Sequence, residues 1–204
     1  MKTEVFLDRF DNCNTYLVST EKYCIIIDPA NQYKFIEKAI GEKEVVGILL
    51  THGHFDHFSN LKLFLEKTNS VCYLQKAAKE KIKNVDTSCA RFFGIKALDE
   101  IDPRYLKTLS DGETLKLGDI EVKVMFTPGH TDCSVCYIIE DSIFTGDTLF
   151  KNTVGRCDLP TGNTSTLIKS MEKFKKLKKD YILYPGHDEA TTLSNELKYN
   201  RYLK

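Results

Sequence analysis

The chain has 204 residues, enough for one domain with a sizeable core, and its 29 Lys and Arg residues balance 29 Asp and Glu residues. A net charge of zero gives no electrostatic reason to expect nucleic acid or a membrane surface as a partner, so we expect a small-molecule substrate. The seven cysteines form no disulfide-like framework, the N-terminus lacks the apolar core of a signal peptide, and no apolar run approaches the ~18 residues of a transmembrane helix, which together predict a cytoplasmic protein.

The first half of the chain alternates β-rich runs with helical patterns. Short apolar runs bounded by polar residues predict strands over 5–7, 15–18, 24–27, 45–50 and 71–74. Apolar residues at helical spacing predict helices over 35–40 and around 61–65, and a charged helix is predicted over 75–83. Residues 84–110 are predicted to be loop with a helical turn or two. Such a long connection is either a lid or binding loop, or a surface insertion whose aromatic pair Phe92 and Phe93 packs on the core.

The second half repeats this order of strands followed by a helix. Two hairpins are predicted, with strands over 114–117, 120–126, 134–139 and 142–145. A glycine-punctuated loop over 151–162, an amphipathic helix over 164–179, a strand over 181–184 and a terminal helix over 192–204 follow. Because strands precede helices twice over, we expect two sheets packed face to face with helices outside and a site along one edge.

Every histidine in the chain follows a predicted strand. Three lie in the segment Thr51-His-Gly-His-Phe-Asp-His57, and the other two follow Pro-Gly turns, at His130 and His187. A lone histidine is more often a core or surface residue than a ligand, but α/β proteins place their sites at the carboxyl ends of strands. Five histidines that share this one setting therefore favour a metal site.

The spacing of the donors favours two ions. His52 and His54 are two residues apart, so they cannot share a helical face and need a tight loop, which Gly53 allows. The five histidines, Asp56 and Asp147 form a set of seven imidazole and carboxylate donors. Seven donors are too many for one tetrahedral ion and suit two ions that share a carboxylate. We assign His52, His54 and His130 to the first ion, Asp56, His57 and His187 to the second, and Asp147 to the bridge.

Two aspartates in this prediction have alternative interpretations. Asp147 stands in Gly-Asp-Thr, which is also the chemistry of a helix N-cap, but beside five histidines we favour the ligand. Asp28 also ends a strand near the expected edge. It either orients a ligand histidine from behind or only begins the turn at Pro29.

Such a site predicts hydrolysis. Two ions lower the pKa of a bound water to ~7, and the resulting hydroxide attacks a carbonyl carbon without any Ser or Cys nucleophile. The catalytic carboxylates of this prediction are Asp56 and Asp147. Zinc is the expected metal, with iron or manganese as alternatives, because imidazole and carboxylate ligands accept all three. Esters, thioesters, lactones and amides all fit as substrates.

Four motifs in order resemble the metallo-β-lactamase superfamily: His-x-His-x-Asp-His, Thr-Pro-Gly-His-Thr, Gly-Asp-Thr-Leu-Phe and Pro-Gly-His, at 52–57, 127–131, 146–150 and 185–187. The resemblance spans essentially the whole chain. It implies an α/β (α+β) fold, a four-layer αββα sandwich with a dinuclear site, and it places the same seven ligands on the positions named above. Within the superfamily, 146–150 and Gly155-Arg-Cys-Asp-Leu-Pro160 are most similar to the glyoxalase II (hydroxyacylglutathione hydrolase) group. That likeness implies hydrolysis of a thioester such as S-lactoylglutathione.

The chain also departs from that group. Full-length glyoxalase II enzymes carry a C-terminal helical domain that supplies much of the glutathione contact, whereas here we expect a single domain over 1–204 with no separate substrate domain. Arg156 stands where the group often has a basic residue near the substrate, although a structural pair with Asp158 is an equal expectation. The alternative function is that of a mononuclear iron persulfide dioxygenase. A lactonase or a β-lactamase fits less well, and Asp147 argues against the latter.

Overall fold

Across residues 1–8 and 12–204, which the computed structural model describes, fourteen strands form two six-stranded sheets and one small hairpin. The first sheet holds, in spatial order, β1 (Lys2–Leu7), β2 (Asn14–Ser19), β3 (Tyr23–Ile27), β4 (Glu44–Leu49), β5 (Cys72–Gln75) and β6 (Leu106–Leu109). Its first three strands pair antiparallel, and from β3 onward the pairing is parallel.

The second sheet comes from the later part of the chain. In spatial order it holds β14 (Thr191–Thr192), β13 (Ile182–Pro185), β10 (Ser142–Gly146), β9 (Val135–Ile139), β8 (Ile120–Phe126) and β7 (Thr114–Leu117). All neighbours pair antiparallel except β10 and β13, which run parallel. The hairpin pairs β11 (Leu149–Phe150) with β12 (Thr153–Val154).

In the part of the chain that the structure describes, six helices cover the outer faces of the two sheets. They are α1 (Tyr33–Ile40), α2 (Phe55–Phe58), α3 (Leu61–Thr68), α4 (Lys76–Lys81), α5 (Thr164–Lys175) and α6 (Leu193–Tyr199). Three 3₁₀ turns add Ala90–Phe93, Pro103–Tyr105 and Arg201–Leu203. Within the described ranges, no helix combines the length and the apolar character that crossing a bilayer requires.

Period-two alternation along the strands separates three hydrophobic cores. In the first sheet, Leu17 and Ile26 pack toward the helices α1 and α3, while Ile25 and Ile27 pack against the second sheet. A third core lies between the outer face of the second sheet and the helices α5 and α6, and Phe174 is fully buried there. Three cores between four layers make the expected αββα sandwich, which the structure confirms.

Two predicted loops contain strands. Residues 84–110 end in β6, which pairs parallel with β5, and 151–162 include β12. β6 has the sequence Leu-Lys-Thr-Leu, in which only the first and last residues are buried, so it lacks the alternation that marks a strand. β12 has two residues and no pattern of its own. Tertiary pairing, not local sequence, produces both strands.

Two predicted helices are too long. The helix expected over 164–179 ends at Lys175, just after its last buried apolar residue, Phe174. The helix expected over 192–204 is interrupted at Asn200, whose backbone is extended and whose side chain accepts a hydrogen bond from the backbone N–H of Tyr202. Asn200 thus starts a separate 3₁₀ turn, because a capping side chain offers the backbone an alternative to continued helix.

The two sheets are joined by a hydrogen bond next to the histidine-rich segment. Tyr137 of β9 is fully buried, and its hydroxyl donates to the carbonyl oxygen of Leu50 at 2.7 Å. Leu50 directly follows β4 and lies two residues before His52, so this contact links the second sheet to the histidine-rich segment.

We therefore expect Tyr137→Phe to lower the free energy of unfolding by about 1–3 kcal/mol, because a buried carbonyl oxygen loses its donor. Urea denaturation followed by circular dichroism measures this change. Tyr199→Phe, at a tyrosine that is 57% exposed, is the matched control and should change stability by less than about 0.5 kcal/mol. Equal stability of the two variants would show that the hydrogen bond contributes nothing.

Candidate metal centre

All seven predicted donors converge at one edge of the two sheets. His52 and His54 lie in the turn after β4, Asp56 and His57 lie in α2, and the rest follow β8, β10 and β13: His130, Asp147 and His187. The turn at His52 is tight because α4 packs against it. A Cβ on Gly53 would lie 2.7 Å from Cβ of Lys81, so only glycine fits between the two histidines.

Three imidazoles form the first group of donors. Nδ1 of His54 lies 3.1 Å from Nε2 of His52 and 2.9 Å from Nε2 of His130. A tetrahedral zinc ion with nitrogen ligands at ~2.0–2.1 Å separates those ligands by ~3.3 Å. The observed spacings are slightly shorter, so these three nitrogens already lie close to the arrangement that one ion requires.

The second group lies beside the first, and Asp147 stands between them. Oδ2 of Asp56 lies 3.2 Å from Nε2 of His187 and 3.7 Å from Nε2 of His57. One oxygen of Asp147, Oδ1, is 3.3 Å from Nε2 of His57, and the other, Oδ2, is 3.5 Å from Nε2 of His130. The carboxylate of Asp147 therefore touches both groups.

Hydrogen bonds behind four of the rings set the tautomer of each imidazole. In each of the four, Nδ1 faces an oxygen: Thr51 Oγ1 for His52 (3.1 Å), Asp28 Oδ2 for His57 (2.8 Å), the Arg156 carbonyl for His130 (2.7 Å) and the Asn12 carbonyl for His187 (3.1 Å). With Nδ1 donating, Nε2 is the atom that faces the other donors, and it is the atom that would bind an ion. Four Nε2 atoms thus point into one small volume.

Asp28 lies directly behind the donors. It is buried, and its backbone adopts the left-handed conformation at φ +51°. Its Oδ1 accepts from the backbone N–H of Thr51 at 2.8 Å, and its Oδ2 accepts both the Thr51 hydroxyl at 2.6 Å and Nδ1–H of His57 at 2.8 Å. One carboxylate therefore orients His57 directly and His52 through Thr51.

The polar atoms inside the cluster fit divalent cations. Among the described residues, Nε2 of His57 and Oδ1 of Asp147 face the other donors and are buried without a hydrogen bond of good geometry. Burial and the neighbouring His130 lower the pKa of His54 to about 3. Burial alone would raise the pKa of Asp147, but the nearby imidazoles, His57 foremost, together hold it well below its usual range. Burial alone would lower the pKa of His57, but the acidic groups around it raise it well above its usual range. A divalent metal binds an ionised carboxylate and imidazoles that have lost their second proton, so an ion here would replace that proton on His57.

Several residues that support the donors have no signal in the local sequence. Asn14 donates its side-chain N–H groups to the carbonyls of Pro185 (3.1 Å) and Asp188 (2.9 Å), which holds the turn that carries His187. The buried Cys13 offers Sγ within 4.8 Å of ligand atoms of His57 and His187. These partners lie far apart in the chain, so no local motif could reveal them.

An ion pair between a buried lysine and an exposed aspartate supports the other side of the site. Lys81 of α4 has a side chain only 7% exposed, and its Nζ lies 2.8 Å from Oδ1 of Asp132. Its stem packs on Gly53, and Asp132 belongs to the turn that carries His130. The pair therefore ties together the two turns that supply the first group of donors. The sequence predicts only a charged helix over these residues.

Arg156 is placed at the rim of the site. Its guanidinium forms a two-pronged pair with Asp158, at 2.6 and 2.7 Å, and its side chain is 63% exposed. Its backbone carbonyl, not its side chain, contacts the donor His130. Asp147, by contrast, begins no helix, so the helix-cap alternative for that residue is wrong: the chain continues into the short strand β11.

We expect Gly186→Ala to disrupt this centre without unfolding the protein. A Cβ at Gly186 would lie 2.3 Å from Oδ1 of Asp147 and 2.6 Å from Cε1 of His57, so it would push the two groups apart. Bound zinc per chain, measured by elemental analysis after dialysis, should fall at least about twofold.

Gly94→Ala serves as the control for that substitution. Gly94 has φ +75° and nothing within 4 Å of the added Cβ, so alanine there introduces backbone strain but no clash. Its zinc content should match the parent protein. Full zinc in the Gly186→Ala variant would contradict the packing described here.

Comparison with known proteins gives one consistent result. Residues 8–187 match the Metallo-beta-lactamase superfamily. The chain is 32% identical to a probable metallo-hydrolase, YqgX, from Bacillus subtilis over 93% of its length and 92% of that protein. It is also 32% identical to the hydroxyacylglutathione hydrolase GloC from Haemophilus influenzae, over 94% of this chain and 92% of GloC.

Solved structures share the fold over nearly the whole chain. The B3 metallo-β-lactamase BLEG-1 superposes with a TM-score of 0.90 at 25% identity and covers 100% of both chains. TTHA1623 in a di-iron-bound form gives 0.86 at 27% identity, over 98% of this chain and 100% of that one. ETHE1 from Myxococcus xanthus gives 0.78 at 26% identity, over 98% and 84%.

Proposed function

This chain belongs to the metallo-β-lactamase superfamily, and on that premise we propose that it is a dinuclear metal-dependent hydrolase of thioesters such as S-lactoylglutathione. The observation that carries the proposal is the position of Asp147. Its two oxygens lie 3.3 Å from His57 and 3.5 Å from His130, one in each group of donors. Similarity to the hydrolase GloC supports the thioester as substrate.

We assign each ion its ligands from the two groups. His52, His54 and His130 would hold the first ion, Asp56, His57 and His187 the second, and Asp147 both. Zinc is our proposed metal, since neutral imidazole and carboxylate suit it. When bound, such ions polarise a carbonyl oxygen and lower the pKa of water.

The proposed reaction is the hydrolysis of a thioester, and three aspartates of the chain have roles in it. Hydrolysis adds water to the carbonyl carbon and breaks the C–S bond, giving a carboxylic acid and a thiol. The leaving thiolate has a pKa of ~8.5, so no strong protein acid is needed to protonate it. Asp56 and Asp147, the carboxylates at the floor of the site, are ionised there: burial alone would raise the pKa of both, but His57 together with the other nearby histidines holds both below their usual range. Asp28 keeps His57 in the tautomer that presents Nε2.

The direct test is thioester turnover by the zinc-loaded protein. We expect hydrolysis of S-lactoylglutathione, with kcat/KM reduced at least about 100-fold in Asp147→Ala and in His54→Ala, because each loses a ligand to the ions. Asp119→Ala is the control: Asp119 accepts a hydrogen bond from Thr20 at the exposed surface, and this variant should keep full activity. Absence of activity on any thioester with the metals fully loaded would sink the proposal.

The role of Asp28 has its own test. Asn at position 28 keeps the shape but places an N–H donor where Oδ2 accepts from both Thr51 and His57. We expect Asp28→Asn to weaken zinc affinity about 10–100-fold in competition with a chromophoric chelator. Asp119→Asn should leave that affinity unchanged, and an equal affinity for Asp28→Asn would assign Asp28 to the turn at Pro29 alone.

Two other activities have specific support from the comparisons. A mononuclear iron persulfide dioxygenase is the second candidate, because the fold is shared with ETHE1 over 98% of this chain. Oxygen uptake with glutathione persulfide tests it.

Similarity to BLEG-1 supports β-lactam hydrolysis, and turnover of a chromogenic cephalosporin tests that.

A further inference from the structure

A cavity of about 750 Å³ opens directly on the donor cluster. Its floor is formed by the donors themselves, including His54, Asp56 and Asp147. This volume lies within the ~300–1,000 Å³ typical of small-molecule sites. A substrate whose carbonyl reaches the metal donors must therefore place its attached groups in this space.

Apolar residues from two separate segments line the cavity and form its two apolar walls. One comes from the segment 89–93 and includes Phe92 and Phe93, and the other comes from the hairpin β11–β12 and the loop after it, with Phe150, Val154 and Leu159. Phe93 is held in place by its ring contact with Phe55, at 5.7 Å between centroids. Both walls lie in segments that the sequence predicts to be loops. For residues 84–110, the alternative is a surface insertion whose aromatic pair packs on the core. Phe92 does not fit that alternative, because it lines the cavity and is exposed.

Phe92 is the most exposed large apolar side chain of the described residues, at 76%. Removing an aromatic ring from water is favourable, so an apolar ligand that covers the Phe92 ring would gain binding free energy. The backbone that carries the ring forms the 3₁₀ turn Ala90–Phe93, which is bounded by left-handed residues at Cys89 and Gly94.

Cationic side chains are scarce on the cavity walls. Among the described residues that line the cavity, the only cationic side chain besides histidine is Arg156, and Asp158 pairs with it through two hydrogen bonds. Asp188 adds a carboxylate. Among these residues a substrate with carboxylates, such as a glutathione thioester, therefore finds no unpaired cationic side chain, while an apolar group finds aromatic surface in both segments.

We propose that this site selects thioesters by an apolar acyl group, aryl or branched, which lies between Phe92 and the Phe150–Val154 wall. This inference rests on the proposed thioester hydrolysis and adds the class of acyl group. Water adds to the carbonyl carbon, the C–S bond breaks, and the products are an apolar carboxylic acid and a free thiol. The thiol half contributes little to selection, because the cavity walls hold no free cation to bind its charges.

The test compares acyl groups on one small neutral thiol. We would measure kcat and KM of the zinc-loaded protein with the acetyl, hexanoyl and phenylacetyl thioesters of N-acetylcysteamine, and with S-lactoylglutathione as the polar reference. The phenylacetyl thioester should have a kcat/KM at least about tenfold above the acetyl thioester, as a hydrophobic pocket provides for added apolar groups.

Substitution of the exposed ring separates this selection from general damage. Phe92→Ala should raise KM for the phenylacetyl thioester about five- to tenfold with kcat nearly unchanged, because the ring binds ground state and transition state alike. KM for the acetyl thioester should stay within about twofold. The matched control is Phe35→Ala, at another exposed phenylalanine (57%) that lies outside this cavity, and it should change neither value.

The outcomes distinguish this inference from the function on which it rests. If no thioester of the series is hydrolysed, the proposed function fails. If acetyl and phenylacetyl thioesters are hydrolysed equally well, or if Phe92→Ala alters both alike, the hydrolase stands and the selection by the aromatic walls is refuted. A preference for S-lactoylglutathione over the phenylacetyl thioester would refute it as well.

Discussion

The structure depends on one electrostatic constraint: several imidazole nitrogens and carboxylate oxygens point into the same buried volume. Buried polar atoms without a well-formed hydrogen bond destabilise a fold, and here Nε2 of His57 and Oδ1 of Asp147 are such atoms. Four of the five rings are nevertheless oriented by a hydrogen bond on the far side, as His57 is by Asp28. The fold thus keeps the donors in place and leaves their lone pairs free, an arrangement that a divalent cation satisfies.

Holding these donors requires both halves of the sandwich. The first sheet supplies the histidines after β4, and the second supplies His130, Asp147 and His187 from the ends of three strands. Long-range contacts join the halves at this edge: Tyr137 to Leu50, Asn14 to Pro185, and Lys81 to Asp132. Each contact lies within a few residues of a donor, so the packing between the layers also sets the geometry of the site.

The features of this site that depend on local sequence could be predicted. The His-x-His-x-Asp-His segment and the two Pro-Gly-His turns could be read directly, because tight turns at strand ends have their own residue chemistry. The four-layer fold followed from the order of strands and helices. The strand β6 could not be read, because only the partner β5 makes Leu106–Leu109 a strand.

Residues that support the donors were hidden for the same reason. Asn14 and Pro185 are 171 residues apart, and nothing around Lys81 predicts that its side chain is buried against Gly53. The aromatic cavity wall at Phe92 was also undetermined, since an exposed and a packed phenylalanine have the same local sequence.

The measurement that tests the central claim most directly is the metal content of the protein as purified, without chelator or added metal. About two ions per chain, mostly zinc, is the predicted result, and a single iron with little zinc would contradict the dinuclear centre.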